Sequence, residues 1–290
     1  MTVMGGPMAG RLALITGGNA GLGKETAVAL AAMGAQVLIT ARDETRGADA
    51  VREIRARSAT ETVDVISLDL ARLASVHDFV AGFTAAHDRL HVLVNNAGVV
   101  LRRRCETDDG YEMTFQVNHL APFLLTVLLR EQLTAADDAR VVNVASVAHH
   151  VARRGLDFDD LQGRRRYGAV DSYCKTKLAN ILFTRELARR WAADEVTANA
   201  VNPGYVASRW GRDGDLGRVW SMFLVLGRPL AQPAAVGART QVYLASAPEL
   251  AGVTGGYWTR SEQATPSAAA RDDAAAARLW DVSEALVGLR

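Results

Sequence analysis

Three features of the sequence predict an α/β fold: one doubly wound parallel sheet with helices on both faces. Short apolar runs alternate with helical patterns, without a break, from residue 12 to residue 201. Those runs are largely apolar on both sides rather than at every second position, as strands covered by helices on both faces must be. The first run also passes through a cluster of glycines straight into the first helical pattern.

Taken in order, residues 12–16 form the first strand and a helix follows over 21–32. The strand 36–40 leads to a charged helix over 43–57, and 63–68 leads to a helix over 73–87. The strand 91–95 precedes a long helix over 118–130, whose window 120–129 is the most apolar in the chain. That window has about half the ~20 residues a membrane span needs, so it reads as a buried helix. The strand 140–145, a helix over 173–191 and a strand over 196–201 complete the alternation. No linker or repeat interrupts the 290 residues, and a single domain over 1–290 is expected. Two segments break the rhythm, 147–166 and 204–233. Both are expected over the carboxyl ends of the strands, where this fold binds ligands. The second carries Trp210, Trp220, Met222 and Phe223, which suit a pocket for a hydrophobic small molecule.

The bulk numbers exclude several classes. With 49% hydrophobic and 22% charged residues the chain reads as an ordinary globular protein, and a net charge of +1 gives no field for nucleic acid. The two cysteines, Cys105 and Cys174, build neither a disulfide framework nor a metal cluster, and His149-His150 has no ligand partner at metal spacing, so no metal is expected. Arg102–Arg104 reads as a solvated loop run. Residues 1–10 show neither a charged n-region nor an apolar h-region, so a cytoplasmic protein without a membrane anchor is expected.

The chemistry concentrates at a few places. Thr16-Gly17-Gly18-Asn19-Ala20-Gly21-Leu22-Gly23 joins the first strand to the first helix. Strand, glycine turn and helix together aim free backbone N–H groups at a phosphate, with Gly17 taking the turn, Gly21 admitting a pyrophosphate and Gly23 letting helix and strand pack closely. Tyr173 and Lys177 stand four apart on one helical face, where an ammonium would lower the phenol's pKa and favour proton transfer. The plainer reading of that pair is an exposed helix pair. Ser146 ends a buried strand, placed either to hold a substrate oxygen or to cap a turn. Asn95-Asn96-Ala97-Gly98 ends another strand with small and polar residues, as a backbone beside a cofactor or a simple turn would. Asn118 lies in an apolar helix and needs partners in either role.

Read together, the glycine loop, Asp69-Leu70, Asn95-Asn96-Ala97-Gly98, Asn118, Ser146, Tyr173 with Lys177, and Pro203-Gly204 resemble the ordered motif set of the short-chain dehydrogenase/reductases, across the whole chain. Val117-Asn118-His119-Leu120, Phe158-Asp159-Asp160-Leu161 and Phe183-Thr184-Arg185-Glu186-Leu187 resemble the retinol-dehydrogenase-like branch. The resemblance implies a Rossmann-like sheet and a set of roles. Tyr173 would be the acid/base and Lys177 its modulator and a ligand of the nicotinamide ribose. Ser146 would orient the carbonyl and Asn118 would hold a relay water. Gly17, Asn19, Gly21, Leu22 and Gly23 would take the dinucleotide phosphates, Asp69 the adenine amine with Leu70 beside it, and Asn95, Ala97 and Gly98 the adenosine side. Pro203, Gly204 and Val206 would pass over the nicotinamide, with Ser208 bonding its amide or the phosphates. Ala145 and Ser208 stand where the family more often has serine and threonine.

Cofactor preference is read from the end of the second strand, where Ala41 replaces the usual carboxylate and Arg42 follows. A guanidinium there suits a 2′-phosphate, so NADP(H) is expected. The reading is an NADPH-dependent oxidoreductase interconverting a carbonyl and an alcohol on a hydrophobic small molecule, a carbonyl reductase or the reverse. A homodimer or homotetramer is compatible with it. The rival is a catalytically idle NADP-binding regulator on the same fold, disfavoured by the complete Asn118, Ser146, Tyr173 and Lys177 set.

Overall fold

Eight strands form one sheet in the computed structural model, which describes residues 6–206 and 231–290. They are β1 (Leu12–Ile15), β2 (Gln36–Ala41), β3 (Val63–Ser67), β4 (Val92–Asn95), β5 (Arg140–Val144), β6 (Thr197–Asn202), β7 (Tyr257–Thr259) and β8 (Glu262–Ala264). Their order across the sheet is β3-β2-β1-β4-β5-β6-β7-β8. All neighbours from β3 to β7 run parallel and β8 alone is antiparallel. The chain winds outward from β1 through β2 to β3, then crosses back to β4. The strand order therefore reverses between β1 and β4, and the fold opens a crevice at their carboxyl ends.

The strand sequences explain why both faces are covered. Leu12 and Leu14 join one core with Leu93, Val141, Phe83, Phe123 and Trp280. Ala13 and Ile15 join a second core on the opposite face with Val92, Val94, Val142, Leu30 and Ile54. Leu14, Ile15, Leu93 and Val94 are wholly buried, which a strand with one wet face could not achieve.

Among the described residues the α-helices are α1 (Gly21–Ala32), α2 (Glu44–Ser58), α3 (Leu73–Ala86), α4 (Met113–Phe115), α5 (Ala121–Leu128), α6 (Arg130–Thr134), α7 (Ala169–Arg190), α8 (Ala234–Ser246) and α9 (Asp273–Leu286). The expected long helix over 118–130 is not one helix. A π-helical turn over Gln116–Leu120 connects α4 to α5, and a break at Leu129 separates α6. In the turn Ala121 N–H reaches back five residues to Gln116 O. Pro122 has no N–H to offer the carbonyl of Asn118 four residues earlier, so a regular helix cannot continue there. Such turns recur at functional sites.

Residues 147–166 begin with a 3₁₀ turn over Val147–Val151 and run on as a loop to α7. Beyond β6, residues 231–290 add α8, the short β7 and β8, and α9, which the alternation pattern did not reveal. No helix among the described residues is long and apolar enough to cross a membrane.

Candidate active site

The glycine loop is pinned to the sheet by one hydroxyl. Thr16 Oγ1 donates to Val94 O (3.3 Å) and accepts from Asn96 N (2.9 Å) and Ala97 N (3.0 Å), so it closes the crevice floor between β1 and β4. Asn96 Nδ2 donates to Thr16 O at 2.8 Å, and Gly17 N donates to Thr40 Oγ1 at 3.3 Å. α1 then begins at Gly21 with no side-chain cap and no acidic residue in its first turn. Its leading N–H groups and positive dipole end are thus left for an anion. Gly21 has φ +54, and a Cβ there would meet nothing within 4 Å, an open cradle above the backbone. Gly23 is the opposite case: a Cβ would stand 2.5 Å from Asn96 Nδ2 and 2.7 Å from Gly17 O. Only glycine allows α1 this close to the loop, so the residues fit a dinucleotide phosphate.

Around this cradle lie the other expected cofactor residues. Asn19 is half-buried in the loop itself. Leu22 packs with Val206 against Gly237 of α8, which joins the start of α1 to the segment after β6. Asp69 follows β3, with Oδ1 accepting from Ala71 N at 3.0 Å and its own N–H bonded to Ser75 Oγ at 3.0 Å. Leu70 is buried in the core beside it. Arg42, after the buried Ala41, is exposed, and among the described residues it makes no ion pair. Pro203, Gly204 and Val206 leave β6 over the same end of the sheet, and Gln232 Nε2 clasps Pro203 O at 2.5 Å. Ser208, with Trp210, Trp220, Met222 and Phe223, lies outside the described residues.

The Asn95 side chain turns into the core, where Nδ2 donates to Thr126 Oγ1 (2.9 Å) and Asn143 Oδ1 (2.8 Å). The parallel register sets Asn95 opposite Asn143, so the two amides pair across β4 and β5 beneath α5. Ala97 then lies against Gly17 of the glycine loop, and Gly98 follows it.

The four expected catalytic side chains come from three elements, the π turn, the end of β5 and α7, and converge. Ser146 closes β5, its Oγ accepting from Ala148 N at 3.1 Å as the cap of the 3₁₀ turn. The same hydroxyl is hydrogen-bonded to Tyr173, so Ser146 caps the turn and also stands at the phenol. Lys177, one turn along α7, is 3% exposed, with its Nζ 5.5 Å from the centre of the Tyr173 ring. That ammonium donates to Val144 O at 2.8 Å, a carbonyl it shares with Asn180 Nδ2 at 3.1 Å. Asn118 Oδ1 accepts from Val99 N (2.7 Å) while Nδ2 donates to Val99 O (3.0 Å) and Thr176 Oγ1 (3.1 Å). Asn118 Oδ1 and Lys177 Nζ both border Gly98.

The electrostatics differ from the sequence expectation. Burial lowers the Lys177 ammonium from 10.5 to about 8. The Tyr173 phenol, however, is held above its usual 10.0 by burial, only partly offset by the Ser146 hydrogen bond. The ammonium sits beside the ring and donates to Val144 O, and desolvation is the largest influence on the phenol.

Several supporting residues were not singled out as site residues from the sequence: Thr16, Thr40, Asn96, Thr176, Asn180 and Asn202. Asn202 Oδ1 accepts from Val147 N (3.2 Å) and Gly204 N (3.1 Å), joining the two irregular segments at their roots. Thr16 and Asn96 sat inside quoted motifs; a polar residue at a strand's carboxyl end was the signal that could have found Thr40 and Asn202, while Thr176 and Asn180 flank Lys177 on α7. Among the described residues no group of three or more His, Cys, Asp or Glu could hold a metal.

Comparison with known proteins gives the family. The family model for short chain dehydrogenases matches residues 11–157. Human retinol dehydrogenase 12 is 44% identical over 282 residues, covering 97% of this chain and 87% of that protein, and human retinol dehydrogenase 13 is 39% identical over 284 residues, covering 97% and 85%. Among solved structures, an uncharacterized protein from Mycobacterium paratuberculosis superposes with a TM-score of 0.77 at 34% identity, covering 97% of this chain and 94% of that one. A blue fluorescent protein from a metagenomic library, solved in complex with NADPH, gives a TM-score of 0.67 at 28% identity, covering 87% and 96%. With the reversal of strand order, the glycine cradle and the Ser146, Tyr173 and Lys177 arrangement already in place, these likenesses settle the family: the chain belongs to the short-chain dehydrogenases/reductases, in their retinol-dehydrogenase-like branch.

Proposed function

We propose that this protein is an NADP(H)-dependent oxidoreductase that interconverts a carbonyl and an alcohol on a hydrophobic small molecule. The observation that carries the reading is the Tyr173 hydroxyl held by Ser146 with Lys177 buried beside it, at the mouth of an uncapped glycine cradle. The bound nicotinamide supplies or accepts the hydride. Tyr173 gives its proton to the oxygen that becomes the alcohol, or takes it back in the oxidation, and Ser146 fixes that oxygen within reach. Lys177 brings the positive charge that stabilises the phenolate left behind, at a depth where water screens it little. Gly17, Asn19, Gly21, Leu22 and Gly23 hold the phosphates, while Asp69, Leu70, Ala97, Gly98, Pro203, Gly204 and Val206 surround the rest of the cofactor, with Ser208 assigned the same duty.

Three exposed apolar side chains favour a hydrophobic substrate: Val147 (56% exposed) directly after Ser146, Val151 on the same turn, and Tyr205 directly after Gly204. The relatives named for retinol act on a molecule of that kind. NADP(H) is favoured by Arg42 at the end of β2, with no acidic residue before it, and structural neighbours have been solved with NADPH and with NADP.

The test is NADPH oxidation by the purified protein across a panel of apolar aldehydes and ketones, including retinal, with Tyr173→Phe as the blank. Turnover in the wild type and none in the variant is the expected result. Tight NADPH binding with no turnover on any carbonyl, nor on the matching alcohols with NADP⁺, would favour the idle binding protein instead.

A further inference from the structure

Glu112 is a buried carboxylate with no part in the chemistry described above. It is 1% exposed, a depth at which a charge is costly unless donors surround it. Three donors do. Its carboxylate accepts from Thr114 N at 2.9 Å, from Phe115 N at 2.8 Å and from Ser172 Oγ at 3.1 Å. The first two are the leading N–H groups of α4, which runs directly into the π-helical turn bearing Asn118. The third comes from α7, at the residue immediately before Tyr173. Glu112 N in turn donates to Gln162 Oε1 at 2.7 Å, which fixes the carboxylate's own backbone to the loop leading into α7.

One turn further along α7 a second tie joins the same two elements. Asn118 Nδ2 donates to Thr176 Oγ1 at 3.1 Å, and that hydroxyl donates to Tyr173 O at 2.8 Å. The Asn118 segment therefore meets α7 at two heights, at Ser172 and at Thr176. A single contact would leave α7 free to pivot against the π turn, whereas two fix both its distance and its rotation.

We propose that Glu112 is a positioning residue, setting the Asn118 turn against the Tyr173 helix by holding Ser172 and the start of α4 on one carboxylate. The inference rests on the proposed roles of Asn118 and Tyr173. Those two side chains come from different elements, and the relay water assigned to Asn118 lines up with the Tyr173 and Lys177 pair only if the elements keep register. A misplacement of about 1 Å can cost up to ~100-fold in rate.

The decisive variant is Ser172→Ala. It removes the bond to α7 and leaves both backbone bonds of Glu112 intact, so α4 stays capped. With Tyr173 misaligned by a fraction of that distance, kcat should fall about tenfold while KM for NADPH changes by less than about twofold. Ser172→Thr keeps the hydroxyl and should restore kcat. Hydrogen exchange in the 113–120 segment should speed up in Ser172→Ala and return to normal in Ser172→Thr. Thr254→Ala is the control for general softening: it loses a bond of similar kind, Ala198 N to Thr254 Oγ1 at 2.9 Å, on the far side of β6, and should keep kcat.

A Ser172→Ala enzyme with kcat within about twofold of wild type overturns the inference, as does a Thr254→Ala enzyme of equal stability loss with an equal fall in kcat. A wild type without turnover, or a fully active Tyr173→Phe, would count against the proposed function. In either case exchange decides the positioning claim, and an unchanged 113–120 segment in Ser172→Ala refutes it.

Discussion

Replacing Lys177 by methionine should make the protein more stable at neutral pH and less able to bind cofactor or turn over. The ammonium is 3% exposed and burial lowers its pKa from 10.5 to about 8. At 1.36 kcal/mol per unit that difference is a penalty of about 3 kcal/mol on the charged form in the folded state. Methionine carries no such penalty. It forgoes the bond to Val144 O, but Asn180 Nδ2 at 3.1 Å keeps that carbonyl partnered. A net gain of about 1–3 kcal/mol at pH 7 remains, several degrees in Tm for a chain of this size. The pH dependence is the discriminating part. Between about pH 8 and 10.5 the unfolded wild-type chain keeps a proton that the folded chain has released, so raising pH through that window favours the folded state. The advantage of Lys177→Met should therefore be full below about pH 8 and fall by about 3 kcal/mol up to pH 10.5, vanishing within that window. Urea unfolding of both proteins at intervals from pH 7 to 10.5 measures it, and other titrating groups cancel in the difference. A difference that does not change across the window, or a variant less stable throughout, would refute a desolvated ammonium at this position.

Tyr173→Phe should retain fold and NADPH affinity and lose kcat by roughly a hundredfold or more, the scale for a positioned proton donor; near-normal kcat would remove the acid/base role. Arg42→Ala should weaken NADPH by about ten- to a hundredfold, from ~1.5–3 kcal/mol for a bond to a charged group, and leave NADH nearly unchanged. The ratio of kcat/KM for the two cofactors reads this, and an unchanged ratio, or a wild type that prefers NADH, would reject the 2′-phosphate assignment. Because Arg42 is exposed, added salt should erode the preference. Gly23→Ala forces a Cβ to within 2.5 Å of Asn96 Nδ2, so stability should fall by about 1–3 kcal/mol and NADPH affinity with it. Normal affinity by fluorescence titration would argue against the cradle.

The sheet through β6 was legible because most of its strands are apolar on both faces and alternate with helical patterns. The four convergent side chains were legible because each ends an element or interrupts its pattern: Ser146 after β5, Asn118 within an apolar run, Tyr173 and Lys177 at helical spacing. What escaped has physical reasons. β7 and β8 have three residues each, too few to show a period. The π turn follows from the missing N–H of Pro122 acting on a residue four places back, and an apolar run masks that effect. Asn95 turned inward because its register partner is another amide, Asn143, and pairing between strands cannot be read from either strand alone. The raised pKa of Tyr173 depends on depth and on where the Lys177 ammonium settles, neither of which the spacing of the two residues contains.

The two ends of the sheet bear on how the chain avoids its neighbours while folding. An uncovered border strand offers a row of unpaired amides on which a second chain can grow, the first step towards aggregation. Here one border, β8, is three residues long and presents Glu262 and Gln263 to solvent, too short and too polar to template another strand. The other border, β3, carries an exposed Asp64 held by Arg55 at 3.0 Å, and Arg55 Nε also takes Val63 O at 2.9 Å. One guanidinium thus occupies a backbone acceptor and sets charge beside it, a guard for a sheet whose interior strands are sticky along their whole length.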